Sequence, residues 1–147
     1  MTNRAVSIRI PEQVRVEIEE TARRSRRDFS SVATEMLEEA VKLRRIPGIA
    51  FADEPTGRVA RVAGTGIEVW EIVQVYRDEN EDWEHLREGF HWLTETQLRA
   101  ALAYAEAYPD DIDERLRRED QLTIEKIWER FPFTKPPDAT LSPTSEA

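Results

Sequence analysis

The residues that could do chemistry in this chain are mostly carboxylates. Thirty Asp and Glu stand among 147 residues, with two His and no Cys. Carboxylate pairs are so frequent in such a chain that none is informative by itself. The tightest group is Asp110, Asp111, Asp113 and Glu114. It could be written as a metal cluster, but it follows Pro109 at the start of a helical pattern, where the helix dipole favours negative charge. His85 and His91 are six positions apart, off a common helical face. No histidine here has the carboxylate and serine neighbours of an activated nucleophile. Gly64 and Gly66 flank Thr65, yet no GxGxxG and no following Lys makes this turn a phosphate cradle. Without cysteine, disulfides and thiolate metal sites are excluded. The expectation is a chain that is not an enzyme and needs no metal or cofactor.

The cations are distributed more tellingly. Net charge is −9, which taken whole argues against nucleic acid. Residues 1–46, however, hold ten Lys/Arg against eight Asp/Glu, net +2, and residues 47–147 hold eleven against twenty-two, net −11. Such asymmetry suggests that the two parts meet different partners. The basic part opens with Arg4-Ala5-Val6-Ser7-Ile8-Arg9-Ile10-Pro11. Val6, Ile8 and Ile10 alternate with Ala5, Ser7 and Arg9, the period of a strand with one apolar and one polar face. No second strand pattern lies within the next forty or so residues, and a lone strand leaves its ladder groups unpaired. The economical partner is a second copy of the chain, paired about a two-fold axis. The polar face of that ribbon is a candidate reader of a DNA groove.

The elements that must hold this ribbon follow at once. Pro11 suits a helix start, and Val14, Ile18 and Ala22 recur at helical spacing. The basic run Arg23-Arg24-Ser25-Arg26-Arg27 closes that helix. Asp28 can cap the next, with Ser30 and Ser31 in its first turn. Val32, Ala33, Met36, Leu37, Ala40 and Val41 form its apolar stripe, and Lys42, Arg44 and Arg45 suit its C-terminal end. Strand, helix, basic turn and helix over residues 4–45 resemble the ribbon-helix-helix family of dimeric repressors. The resemblance implies that Ala5, Ser7 and Arg9 point into the major groove, while Val6, Ile8 and Ile10 face a shared core. It also implies that backbone N–H groups around Asp28–Ser31 anchor a phosphate, beside Ser30 and Ser31. Ala5 offers no hydrogen bond to a base edge, so readout rests on Ser7 and Arg9, with Asn3 and Arg4 as extras. Asp28 stands where the family often has a hydroxyl residue, and its charge repels a phosphate.

Ile46-Pro47-Gly48 breaks the helix, and residues 47–57 read as a linker. Arg58–Ala63 can be a short strand, and Gly64-Thr65-Gly66 a chain reversal. From Val69 the pattern is helical. Val69, Ile72, Val73 and Tyr76 make one stripe, and Trp83, Leu86 and Phe90 a second. Thr94-Glu95-Thr96-Gln97 is a capping box that opens a third, with Leu98, Ala101, Leu102 and Ala105 inward. A fourth carries Ile112 and Leu116. The runs Ala63–Val73 and Leu93–Tyr104 resemble a small helical domain, common in bacterial antitoxins and without an assigned function, whose core is a helix-turn-helix-like trihelical unit. Members often carry arginine where Gly66 stands and an aromatic where Ala105 stands. The acidity of this copy makes dimerisation or scaffolding as good an expectation as DNA binding.

Beyond residue 119 the chain changes character. Thr123 can cap a short helix with Ile124, Ile127, Trp128 and Phe131, after which Phe133–Pro137 leads into a Ser/Thr/Pro/Ala segment that reads as disordered. The apolar residues either pack back on the helical domain or order on a partner. The expected organisation is mainly α: a ribbon-helix-helix head (1–46), a linker (47–57), a helical domain with a short β element (58–119) and a tail (120–147). Together these resemble the antitoxin of a type II toxin–antitoxin pair, of the VapB kind. The resemblance implies a cognate toxin, a PIN-like ribonuclease, and repression of its own operator DNA by a homodimer that can build higher oligomers. Candidate toxin contacts are Arg115, Arg118, Lys126, Trp128, Arg130, Phe131, Phe133 and Lys135. The rival readings are a stand-alone transcriptional regulator and a dimeric scaffold that binds no DNA. Mean hydropathy is −0.64 and no run reaches membrane-spanning length, so the cytoplasm is the expected location.

Overall fold

The computed structural model describes residues 3–121 and 124–137. The chain is mainly helical and divides into two compact units, Met1–Pro47 and Gly48–Ala147. No helix of the described residues is long and apolar enough to cross a membrane.

The first unit is a helix pair preceded by an extended segment. Helix α1 spans Glu12–Ser25 and α2 spans Phe29–Arg45. Pro11 precedes α1 with φ −55° and ψ 144°, and its carbonyl accepts from the Val14 and Arg15 amides at 3.0 Å each. At the other end Arg26 turns the chain into the left-handed region at φ 54°. There the Arg27 amide reaches back to the Ala22 carbonyl at 3.0 Å and closes the helix as a glycine would. Asp28 caps α2, its side chain accepting from the Ser31 amide at 2.7 Å. Ile18, Ala22 and Val32 are buried between the helices, with Ala33 and Met36 packed against them. That core is small for forty-odd residues, and much of the apolar stripe stays open.

The second unit begins with a hairpin. Strands β1 (Ile49–Glu54) and β2 (Gly57–Val62) pair antiparallel, with Ile49 opposite Val62 and Glu54 opposite Gly57. Residues 49–54, expected as part of a linker, are therefore a strand. Only Ile49 of the six is buried and Asp53 is exposed, so the apolar alternation that marks a half-buried strand is blunted. Gly57, at φ +120°, supplies the turn conformation that side chains rarely adopt. Gly64 does the same at φ +78° in the reversal after β2. There the Val62 amide bonds the Ile67 carbonyl at 2.9 Å, and Arg61 pairs with Glu68 in an isolated bridge.

Helices α3 (Val69–Asp78), α4 (Trp83–Gly89), α5 (Glu95–Ala107) and α6 (Pro109–Gln121) complete the body. The expected capping box forms: Thr94 and Gln97 bond each other's backbone amides at the start of α5. A second one, not expected from the sequence, joins Glu68 and Glu71 at the start of α3. Helix α3 packs on α4, α5 and α6, and the hairpin packs on α5. Val69, Ile72, Leu86, Leu98 and Ala101 are fully buried at this centre. So is Tyr104, where the 3.6 period had pointed to Ala105, which is half-buried. The Tyr104 ring meets Phe51 edge-on at 6.2 Å, and its hydroxyl donates to Asp111 at 2.6 Å. One side chain thus joins β1, α5 and α6.

A short helix α7 (Ile124–Arg130) and a 3-10 turn (Pro132–Thr134) end the described chain. The expected cap at Thr123 and the Ser/Thr/Pro/Ala segment lie outside the described residues.

Candidate nucleic-acid interface and partner-binding tail

Residues 3–11 belong to no strand in the isolated chain. The alternating segment is present but has no ladder partner, because a ladder needs a second strand and none of the described residues supplies one. Asn3, Arg4, Ala5, Ser7 and Arg9 are all exposed. The apolar face is open too: Val6 is 79% exposed and Ile8 63%, and Ile10 is half-buried. Behind it, Ile8, Ile10, Val14, Phe29 and Leu37 line a groove of about 460 Å³ that Arg9 and Ser30 border. Leu37 and Val41 on α2 are 57% and 62% exposed. These side chains leave an apolar face open from the unpaired segment across two helices.

At the α2 N-terminus the structure sharpens the reading of Ser30 and Ser31. Both are exposed, but the Ser31 amide is already taken by Asp28. The Asp28 carboxyl is held below its ordinary range, first by that backbone hydrogen bond, then by the Ser31 hydroxyl, with the Arg27 charge adding to them. Its negative charge therefore sits at the α2 N-terminus, beside Ser30 and Ser31. Arg27 is turned along α2, with its guanidinium on Glu35 at 3.0 Å.

The cations assigned to the tail fall into two groups. Arg115 is engaged inside its own unit: Nη1 donates to Thr56 Oγ1 at 2.8 Å, Nη2 lies 3.7 Å from Glu68 and 3.3 Å from Glu119, and the guanidinium sits 5.4 Å from the Trp70 ring centroid. Its side chain is only 19% exposed. Glu68, the buried acid it faces, also accepts from Trp70 Nε1. Arg118 pairs with Glu114 on α6. Arg115 therefore fastens α6 to the hairpin turn and to the α3 cap, and does not stand ready for a partner. No local pattern in the sequence marks Thr56, Glu68 or Trp70 as partners of Arg115, and Thr56 lies 59 positions away.

The second group lies on α7 and the turn after it. Lys126, Arg130, Phe131, Phe133 and Lys135 are exposed and Trp128 is half-buried. Arg130 lies over the Phe131 ring at 5.6 Å, Lys135 over Trp128 at 5.9 Å, and Phe131 meets Phe133 edge-on at 6.0 Å. The Lys135 amide bonds the Pro132 carbonyl at 3.2 Å and so bends the chain back. Phe133 is 85% exposed. The result is a small knuckle of aromatic rings backed by cations, the composition that interface hot spots favour.

Among the described residues no group of three His, Cys, Asp or Glu is placed to hold a metal ion. Asp110 and Asp111 lie in the first turn of α6. Asp113 pairs with Arg77 at 2.9 Å. His85 faces Glu79 at 3.5 Å, and His91 packs against Trp92.

Residues 49–105 match a family described only as a protein of unknown function (DUF433). The match begins at the first residue of β1 and ends inside α5, so it takes in the hairpin and the trihelical centre. It leaves out the helix pair of the first unit, α6 and α7. No curated protein matches the chain, and no solved structure does.

Proposed function

We propose that this chain is the antitoxin and autoregulator of a type II toxin–antitoxin module, of the VapB kind. The observation that carries the reading is the open apolar face of the first unit. Val6, Ile8 and Ile10 continue into the groove formed by Val14, Phe29 and Leu37. A second copy would cover that face, pair the two N-terminal segments, and bring two sets of Ser7 and Arg9 to one side of a ribbon. The tail supplies the second function. Trp128, Phe131 and Phe133 anchor it on a PIN-like ribonuclease. Lys126, Arg130 and Lys135 meet the acidic magnesium site, where a cation can neutralise carboxylates or stand in for the metal. Arg115 leaves that list because its partners lie within its own unit, whereas Arg118, whose exposed pair with Glu114 is weak, stays beside the tail cations. In this reading the chain catalyses nothing itself.

Co-expression with the product of the neighbouring gene tests the whole. The expected result is a co-purifying complex and relief of the toxin's growth arrest; a neighbour that neither binds nor is neutralised rules the antitoxin reading out. On the operator, Arg9→Ala should weaken binding by about 1–3 kcal/mol if Arg9 reads a base. An unchanged gel shift would favour a scaffold that binds no DNA.

A further inference from the structure

The matched helical unit carries a face that neither the ribbon nor the tail uses. On the outer side of α5, Arg99, Leu102, Ala103 and Glu106 line an open groove of about 340 Å³, completed by Tyr76 of α3 and Trp83 of α4. Arg99 lies over the Trp83 ring at 4.7 Å and holds Glu95 at 2.8 Å. Glu106 is exposed and, among the described residues, has no ion pair. Leu102 is half-buried and Ala103 exposed between them. The face is therefore apolar at its middle, positive at one end and negative at the other.

That order of charges selects its occupant. Arg99 and Glu106 are two helical turns apart, about 10 Å along the axis. If a second α5 lies parallel, like charges meet at both ends. If it lies antiparallel, with the axis of symmetry at Leu102–Ala103, each Arg99 meets the other copy's Glu106 and the unpaired carboxylate gains a partner. A two-fold contact needs this self-complementarity, with the same patch on both copies. The small side chain of Ala103 at the crossing point lets two helix backbones approach closely. The existing Arg99–Glu95 pair is an exposed pair within one helix, which is weak and leaves the guanidinium with donors to share.

We infer that α5 is a self-association surface: two copies of the chain pair their α5 helices antiparallel across Leu102 and Ala103, with Arg99 of each bonded to Glu106 of the other. The inference does not rest on the ribbon.

Oxidative cross-linking of Ala103→Cys in the full-length chain, which has no other cysteine, tests it, with thermal melts to confirm folding. The pairing predicts a disulfide-linked dimer, and adding Arg99→Glu or Glu106→Arg should each abolish it, because each makes the two-fold contact repulsive. The charge-swapped double variant restores both pairs and should recover the cross-link. The cross-link reads α5 and not the ribbon, so it separates failure of the one contact from failure of the other. Charge variants that cross-link as readily as Ala103→Cys alone overturn the inference, and so does a double variant that does not cross-link.

Discussion

Asp28 shows how one residue can serve the fold and oppose the proposed function. It caps α2 through the Ser31 amide and carries its charge where a helix N-terminus would otherwise attract a phosphate. Serine caps a helix about as well as aspartate, so Asp28→Ser should leave the thermal midpoint at neutral pH nearly unchanged. Operator affinity should rise by roughly two- to fivefold at low salt, with the gain fading as salt screens the site; equal affinities in a low-salt titration would remove Asp28 from the interface. The same carboxyl gives a pH signature. Its folded-state pKa is lowered by the Ser31 hydrogen bonds and by Arg27. Its contribution is therefore complete above the ordinary carboxylate range and lost as pH falls through the lowered value. Acid unfolding curves of Asp28→Ser should lack that component. Arg115 makes the opposite point, a sequence-level partner contact that proves to be an internal one. Arg115→Ala removes the guanidinium from Thr56 and from Glu68 and uncovers Trp70. It should destabilise the helical unit by about 1–3 kcal/mol, read by urea unfolding, whereas a residue that only met a toxin would leave unfolding untouched. The difference was hidden because an arginine on a polar helix face looks alike in sequence whether its partner is 4 or 59 positions away.

Among the elements, those that declare themselves locally were the legible ones. The capping box Thr94–Gln97, the apolar stripe of α3 and the Asp28 cap all follow from residues within one or two turns of each other, and each forms, whereas Val14 of the α1 stripe is exposed and Tyr104 takes the buried place expected of Ala105 on α5. Thr94→Ala should cost about 1 kcal/mol in the same unfolding experiment, because it leaves the Gln97 amide without its acceptor. Strand β1 was illegible for a complementary reason. Its place is set by the register against β2, with Ala52 opposite Val59 and Asp53 opposite Arg58. The Ala and Asp it carries in those positions have little strand preference of their own. The N-terminal segment is the converse case. Its alternation reads as a strand, yet the isolated chain leaves it without a ladder, which the proposed second copy would supply. Gly48 marks where the second unit starts: at φ +97° and with a Cβ position only 3.2 Å from the Ala100 Cβ, it admits no side chain without strain.

For the whole molecule, the division of charge and of exposed apolar surface argues for separate tasks at the two ends. The cations that could meet DNA are gathered with an open apolar face in the first unit, while the second is strongly acidic and repels a polyanion. Its last described segment reverses that sign: residues 124–137 carry Lys126, Arg130 and Lys135 against Glu125 and Glu129. A basic, aromatic knuckle at the end of an acidic unit suits a partner whose surface is apolar with a carboxylate rim, and it does not suit DNA held at the other end. Among the helices and strands α7 packs chiefly on the turn that follows it, so its removal should not unfold the core built on α3, α5 and Tyr104. A chain ending at Gln121 should therefore keep the melting transition and the operator affinity of the full chain and lose toxin neutralisation. Loss of DNA binding along with neutralisation would mean that the tail supports the fold of the head. Retention of both would move the toxin contact into the acidic unit, where α6 and the hairpin would then have to supply it.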